Sequence, residues 1–373
     1  MTQELDLGLR FIVEPSGTSL TADEAVALKL LKPAGIMLRK RNFAQSAPYH
    51  EWLAQYSRLL QEVREAIGRS NIIVSIDHEG GNVHRFPPPI TRFPYPALYG
   101  RNLAAVEQVA SMMASELRAL GVNLSFSPCA DIHSNPNNPV INQRAFGQTA
   151  RDVAESVCIF AEALRKGGVV PCAKHFPGHG DTGVDSHYAL PVVARTLDEL
   201  RGQEFLPFAA LIASGIEMIM SAHLMVPALD PKNQATLSPT IMRRILRDEL
   251  SFKGITIADA LGMKAIHDTL SSGSFAERAH AAGIDLFLMV GDTVSIQDAV
   301  VIRDEWERSG TLIAERESLI EVQRRLEAFL SSLPQYAVSG LDQKTLDSHH
   351  TLAAALATNA AWFTFDFNPI GFD

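Results

Sequence analysis

The chain has 373 residues, 46% of them hydrophobic and 20% charged, with a formal net charge of −9. This is globular composition with material for a large core, and the acidic balance argues against a nucleic-acid partner, which would want a basic face. No run reaches the roughly 18 unbroken apolar residues of a membrane span.

The N-terminus, MTQELDLGLR, lacks the basic and apolar regions of a secretory signal. The three cysteines, Cys129, Cys158 and Cys172, sit at no metal spacing. They read as reduced thiols of a cytoplasmic protein.

Short β-branched runs then alternate with helical patterns. The strands expected are 9–13, 35–38, 72–77, 123–128, 169–176, 218–223, 255–259 and 286–290. Helical stretches lie between them at 48–68, 105–120, 152–167, 198–214, 240–251, 275–282 and 294–308. Strand–helix alternation implies βαβ units and a parallel sheet, and eight strands is the count of a closed (β/α)8 barrel of the TIM type. No P-loop is present, and the G-x-G-x-x-G string from Gly178 to Gly183 opens no helix, so no nucleotide-binding fingerprint is formed. Two further helices, at 311–333 and 343–361, follow without a Ser/Gly-rich linker, and the tail WFTFDFNPIGFD is expected to cover barrel surface. The reading is one α/β domain: a barrel over 1–310 and a helical appendage over 311–373 packed on it.

Polar clusters fall just after the strands, where such barrels place their active sites. The densest is KHFPGHGDTGVDSH, residues 174–187, with one Lys, three His and two Asp among Pro177, Gly178, Gly180 and Gly183. Those breakers exclude a helix and imply a loop leaving the fifth strand. His175 and His179 have an H-x3-H spacing that Asp185 and His187 would complete as a zinc site, but Pro177-Gly178 prevents the helix that this spacing needs. Acid/base chemistry is the alternative. Asp185 lies two residues before His187, so its carboxylate can orient the imidazole and stabilise its protonated form. A covalent partner is then required, and Asp259 ends the apolar run GITIAD at the barrel mouth. Asp77 and Arg85 in IDHEGGNVHRF and Arg144 in NPVINQRAFG offer the acceptors and forked donors that a polyhydroxyl ligand needs. Glu79, Asp131, His223 and Asp285 are strand-end polar residues expected to support the architecture.

With DHEGGxVxR upstream and ADALGM downstream, KHFPGHGDTxxDSH closely resembles family 3 of the glycoside hydrolases. Within it, the likeness is to the single-domain bacterial β-N-acetylglucosaminidases, from about residue 8 to 330. The resemblance implies a retaining enzyme with Asp259 as nucleophile, His187 as acid/base and Asp185 as its partner. It also implies that Asp77, Arg85, Arg144, Lys174 and His175 hold the sugar. The substrate would be a glycan containing N-acetylglucosamine, such as a muropeptide from peptidoglycan recycling or a chitobiose-like sugar. No metal, organic cofactor, nucleic acid or membrane would be involved, and the oligomeric state stays open, a monomer being compatible. ADALGM stands where many relatives read SDDLSM, INQRAFG where IGxRSFG is usual, and His78 where Gln is frequent. None of these changes removes a catalytic group. The alternatives are a family 3 glycosidase or phosphorylase of other β-glycosides, and an inactive sugar-binding protein.

Overall fold

The structure, a computed structural model, describes residues 4–183, 190–270 and 274–358. Eight strands run in chain order: β1 (Phe11–Val13), β2 (Gly35–Leu38), β3 (Ile73–Ile76), β4 (Leu124–Ser125), β5 (Val170–Phe176), β6 (Met218–Ser221), β7 (Ile255–Ala258) and β8 (Phe287–Met289). All pairings are parallel, in the order β7-β6-β5-β4-β3-β2-β1-β8. The cylinder closes between β7 and β8 through a parallel bridge, Ile257 to Leu286, with Ala258 N–H donating to the Leu286 carbonyl at 3.0 Å. This is the expected (β/α)8 barrel, in one domain with C-terminal helices.

Both faces of each strand are buried, which is why the strands read as unbroken apolar runs. Alternation then decides which residues fill the barrel and which meet the helices. Ile12, Met37, Ile73 and Ile257 belong to an inner cluster, while their neighbours Val13, Ile36, Val74 and Ala258 pack outward against Leu28, Trp52 and Leu59. The same parity aims Asp77, two residues beyond Ser75, and Asp259, two beyond Ile257, into the mouth.

The outer helices depart from the sequence reading in two instructive places. A helix not anticipated, Ala22–Leu31, follows β1 and starts with a capping box between Thr21 and Glu24. The single helix expected at 198–214 is two, Leu197–Gly202 and Phe205–Ala213. Pro207 explains the break, because in a continuous helix its ring would collide with the carbonyl four residues back, at Gln203.

The helix Arg316–Ser332 does more than lie on the outside. Its Val322, Leu326 and Leu330, with Leu333, join the same inner cluster as Leu9, Ile12 and Leu124. This helix floors the barrel at the end away from the polar clusters. The last described helix, Gln343–Thr358, docks His349 Nδ1 onto the buried carboxylate of Glu116 at 2.7 Å. No helix among the described residues is long and apolar enough to cross a membrane.

Candidate active site

The polar groups of the mouth form one connected ring. Lys174, buried on β5, places Nζ 2.7 Å from Asp77 Oδ1 and 2.6 Å from Glu79 Oε1. Arg85 closes on the other Asp77 oxygen at 3.3 Å. Arg144 grips Glu79 with two parallel bonds of 2.8 and 2.9 Å, and its Nη2 lies 3.5 Å from His175 Nε2. His175 Nδ1 in turn meets Asp131 Oδ2 at 2.6 Å. All five residues expected to hold the sugar, Asp77, Arg85, Arg144, Lys174 and His175, are thus brought together.

Lys174 and His175 are consecutive, so a regular strand would send them to opposite faces. A register shift between Ala173 and Phe176 breaks the alternation. Such a bulge re-aims side chains at functional rims, and here both residues reach the mouth.

Burial alone would push the carboxyl pKa values up, but the cations win. Lys174 and Arg85 hold Asp77 well below the usual range, and Arg144 with Lys174 brings Glu79 down to about 2. Asp131 is likewise depressed by His175 and His179 against its burial. The carboxylates of Asp77, Glu79 and Asp131 are therefore held charged, Glu79 and Asp131 at buried positions, where charged hydrogen bonds are strong.

Asp259 lies at the end of β7. Its Oδ1 accepts from the Ala260 N–H at 2.7 Å, and its own N–H donates to the Ser221 carbonyl of β6 at 3.2 Å. Burial would raise its pKa, yet His175, the Ala260 N–H and Lys174 outweigh that and keep it lowered. It is a carboxylate at neutral pH, able to attack or to stabilise positive charge.

Asp185 and His187 lie outside the described residues. The stem of their loop is held from several sides. Asn138 Nδ2 donates to the His179 and Gly180 carbonyls at 2.8 and 3.0 Å, and the Asn135 side chain reaches the Thr182 carbonyl at 3.3 Å. Arg195 pairs with both oxygens of Asp181 at 2.9 Å, tying the two ends of the loop together. Gly180 is required here, since a Cβ would fall 1.6 Å from the Ile132 carbonyl oxygen.

Cys129, Asp131 and His175 bring three possible ligand atoms within 4.8 Å. Their geometry is that of a hydrogen-bonded set. The 2.6 Å separation of His175 Nδ1 and Asp131 Oδ2 is shorter than two ligands on one ion allow, about 3.3 Å in a tetrahedral zinc site. Asp131 also accepts the backbone N–H groups of His175 and His179, at 3.1 and 2.6 Å.

Three of the residues expected to be architectural border the chemistry. Glu79 and Asp131 anchor the cations and the imidazole of the ring, and His223 contacts the Asp259 backbone. For Glu79 and His223, a position just after β3 and β6, the signal used for Asp77 and Asp259, could have found them; Asp131 lies six residues beyond β4. Asp285 does serve the architecture, bonding Arg247 at 2.6 Å and the Thr256 N–H at 2.9 Å.

Residues 10–316 match the N-terminal domain of glycosyl hydrolase family 3. The chain belongs to this family. A beta-hexosaminidase of Methylococcus capsulatus is 36% identical over 295 residues, covering 76% of this chain and 84% of that protein. The family 3 β-N-acetylglucosaminidase of Paenibacillus sp. str. FPU-7 superposes with a TM-score of 0.83 at 31% identity, over 96% of this chain and 69% of that one. NagZ of Neisseria gonorrhoeae, solved with N-trifluoroacetyl-D-glucosamine, gives 0.73 at 28% identity, over 94% and 98% of the two chains. As a family 3 glycoside hydrolase, the enzyme has its charged ring and Asp259 at the strand ends where barrel enzymes carry out their chemistry.

Proposed function

We propose that this enzyme is a retaining exo-β-N-acetylglucosaminidase that releases N-acetylglucosamine from muropeptides during cytoplasmic cell-wall recycling. The observation that carries the reading is the placement of Asp259 at the end of β7, beside the ring of Asp77, Arg85, Arg144, Lys174 and His175. The names of the relatives support the choice of sugar: one is a beta-hexosaminidase, and another was solved with an N-acylated glucosamine.

In this mechanism the ring holds the sugar hydroxyls while Asp259 attacks the anomeric carbon. His187, oriented by Asp185, protonates the departing oxygen and then takes a proton from the incoming water. Asp259 displaces the leaving alcohol in the first step and water displaces Asp259 in the second, and these two inversions return the original anomeric configuration. No metal or organic cofactor takes part.

Aryl N-acetylglucosaminides of graded leaving-group acidity test the assignment. Asp259→Asn should abolish turnover of every substrate, because attack precedes all else. His187→Ala should still glycosylate with an activated aryl substrate, stall at deglycosylation with a burst and a trapped adduct on Asp259, and be accelerated by azide. Asp185→Ala should behave as a milder form. Equal loss on activated and unactivated substrates, with no burst and no azide rescue, would remove His187 from the role. Absence of turnover on N-acetylglucosaminides beside turnover of glucosides or xylosides would overturn the sugar.

A further inference from the structure

Asp259 continues the sheet one step past β7, its N–H donating to the Ser221 carbonyl at 3.2 Å. In a regular parallel ladder the next bond would run from the backbone N–H of residue 223 back to the Asp259 carbonyl. The His223 side chain occupies that role, with Nε2 3.1 Å from the Asp259 carbonyl oxygen. A carbonyl only accepts, so Nε2 carries the proton.

The other ring nitrogen is provided for. His223 Nδ1 lies 2.9 Å from the Thr236 hydroxyl, which lies 3.0 Å from Ser221 Oγ. Burial lowers the pKa of His223, which favours the neutral ring. In a neutral ring with Nε2 protonated, Nδ1 must accept. The Thr236 hydroxyl, which also has the Ala222 carbonyl within 3.0 Å, must then turn its proton to Nδ1. Hydroxyl, hydroxyl, imidazole and carbonyl form a directed chain: Ser221 to Thr236 to His223 to Asp259.

We propose that His223, with its tautomer set by Thr236, is a positioning residue for the nucleophile, fixing the Asp259 backbone from which the attacking carboxylate projects. This rests on the reading of Asp259 as nucleophile. The backbone ladder from Met218 to Ser221 already joins β6 to β7, so the imidazole governs the placement of one residue rather than the cohesion of the sheet. A carboxylate that must meet an anomeric carbon in line tolerates little drift. A displacement near 1 Å costs about a hundredfold in rate.

The test uses the full chain, the aryl N-acetylglucosaminide series, and N-acetylglucosamine binding as a separate measure. His223→Leu should lower kcat and kcat/KM together by about a hundredfold for every leaving group, while N-acetylglucosamine affinity stays at the wild-type value. His223→Gln, whose side-chain amide can donate to the same carbonyl, should recover most of the loss. Thr236→Val, which keeps the imidazole but removes what fixes its tautomer, should fall between them. Wild-type kcat in Thr236→Val or His223→Leu overturns the proposal, as does equal loss in His223→Leu and His223→Gln, or loss seen in sugar affinity instead of kcat. Asp259→Asn separates the two readings: turnover in that variant defeats the nucleophile assignment itself, whereas an inert Asp259→Asn beside an unimpaired His223→Leu rejects only the role of His223.

Discussion

Asp131 shows how much of the site one carboxylate organises. Its Oδ2 accepts from both the ring and the backbone of His175, its Oδ1 from the backbone of His179, and the Cys129 thiol donates to it at 3.3 Å. Held this way, His175 turns Nε2 toward Arg144 and the mouth. Lys174 and Arg144 are likewise held by more than one bond, and both are assigned to the sugar. Replacing Arg144 or Lys174 with Ala should therefore reduce kcat/KM by about 2–4 kcal/mol, through charged hydrogen bonds lost at the reacting sugar. Near-wild-type kinetics in both variants would make them structural. The depressed carboxyls also set an acid limit. Glu79 is held at about 2 against an ordinary 4.5, so its contribution to stability is fully present above about 4.5 and is lost as pH falls toward 2. Denaturation midpoints measured across that window should fall, and Glu79→Gln should flatten the fall. An unchanged slope would mean that the Glu79 ion pairs do not contribute.

At the scale of elements, the sequence was legible where one physical rule acts alone. The strand at 35–38 has its expected bounds because an apolar run buried on both faces begins and ends with the barrel wall. The strand expected at 123–128 is only Leu124–Ser125, since Ser127 and Pro128 already belong to the rim. The helix Ala22–Leu31 gives a weak sequence signal despite its Thr21-x-x-Glu24 cap, because charges at both ends mask a short buried face of Ala27, Leu28 and Leu31. Of the site, Asp77 and Asp259 could be read from strand ends and alternation. The bulge that turns Lys174 and His175 the same way could not, because it depends on pairing between strands. Pro177-Gly178 does end β5, so no helix presents His175 and His179 side by side; they share Asp131 instead. Full activity should accordingly survive exhaustive chelation. Loss of activity that zinc restores would reverse the metal-free reading. The loop stem offers a second check at this scale. Asn138 is buried and makes its bonds on both ends of its amide, accepting from the Val140 and Ile141 N–H groups at 2.8 Å while donating to the stem. Asn138→Ala should cost about 2–4 kcal/mol in chemical denaturation by leaving several buried groups unpaired. A change below about 0.5 kcal/mol, the scatter expected of surface substitutions, would mean that the stem is held without it.

Across the whole molecule, the mouth and the floor of the barrel are made by distant parts of the chain. The strands alone cannot seal the lower end, where Leu9, Ile12, Ile73 and Leu124 converge. Val322, Leu326 and Leu330 arrive from the helix Arg316–Ser332 to cover them, and Asn123 Nδ2 ties the same end to the Pro334 carbonyl at 3.1 Å. The chain beyond 310 is thus two pieces with different burdens. The first, through about 341, completes the barrel core. The second, the helix Gln343–Thr358, lies against the outer layer, where His349 partners Glu116, which also accepts from the Thr91 N–H at 3.2 Å. A truncation series separates these burdens. A chain ending at 310 leaves the inner cluster open to water and should not give a cooperative unfolding transition. A chain ending at 341 keeps the floor and should fold and turn over substrate, but with lower stability, since the buried Glu116 carboxylate loses one of its two described partners. Within the full chain, Leu326→Ala should cost about 2–5 kcal/mol, the range for emptying a closed core site. Thermal and chemical denaturation, followed by circular dichroism and by activity, would read all three. A stable, cooperative 1–310 fragment, or a Leu326→Ala variant within about 1 kcal/mol of wild type, would show that the barrel closes without its floor.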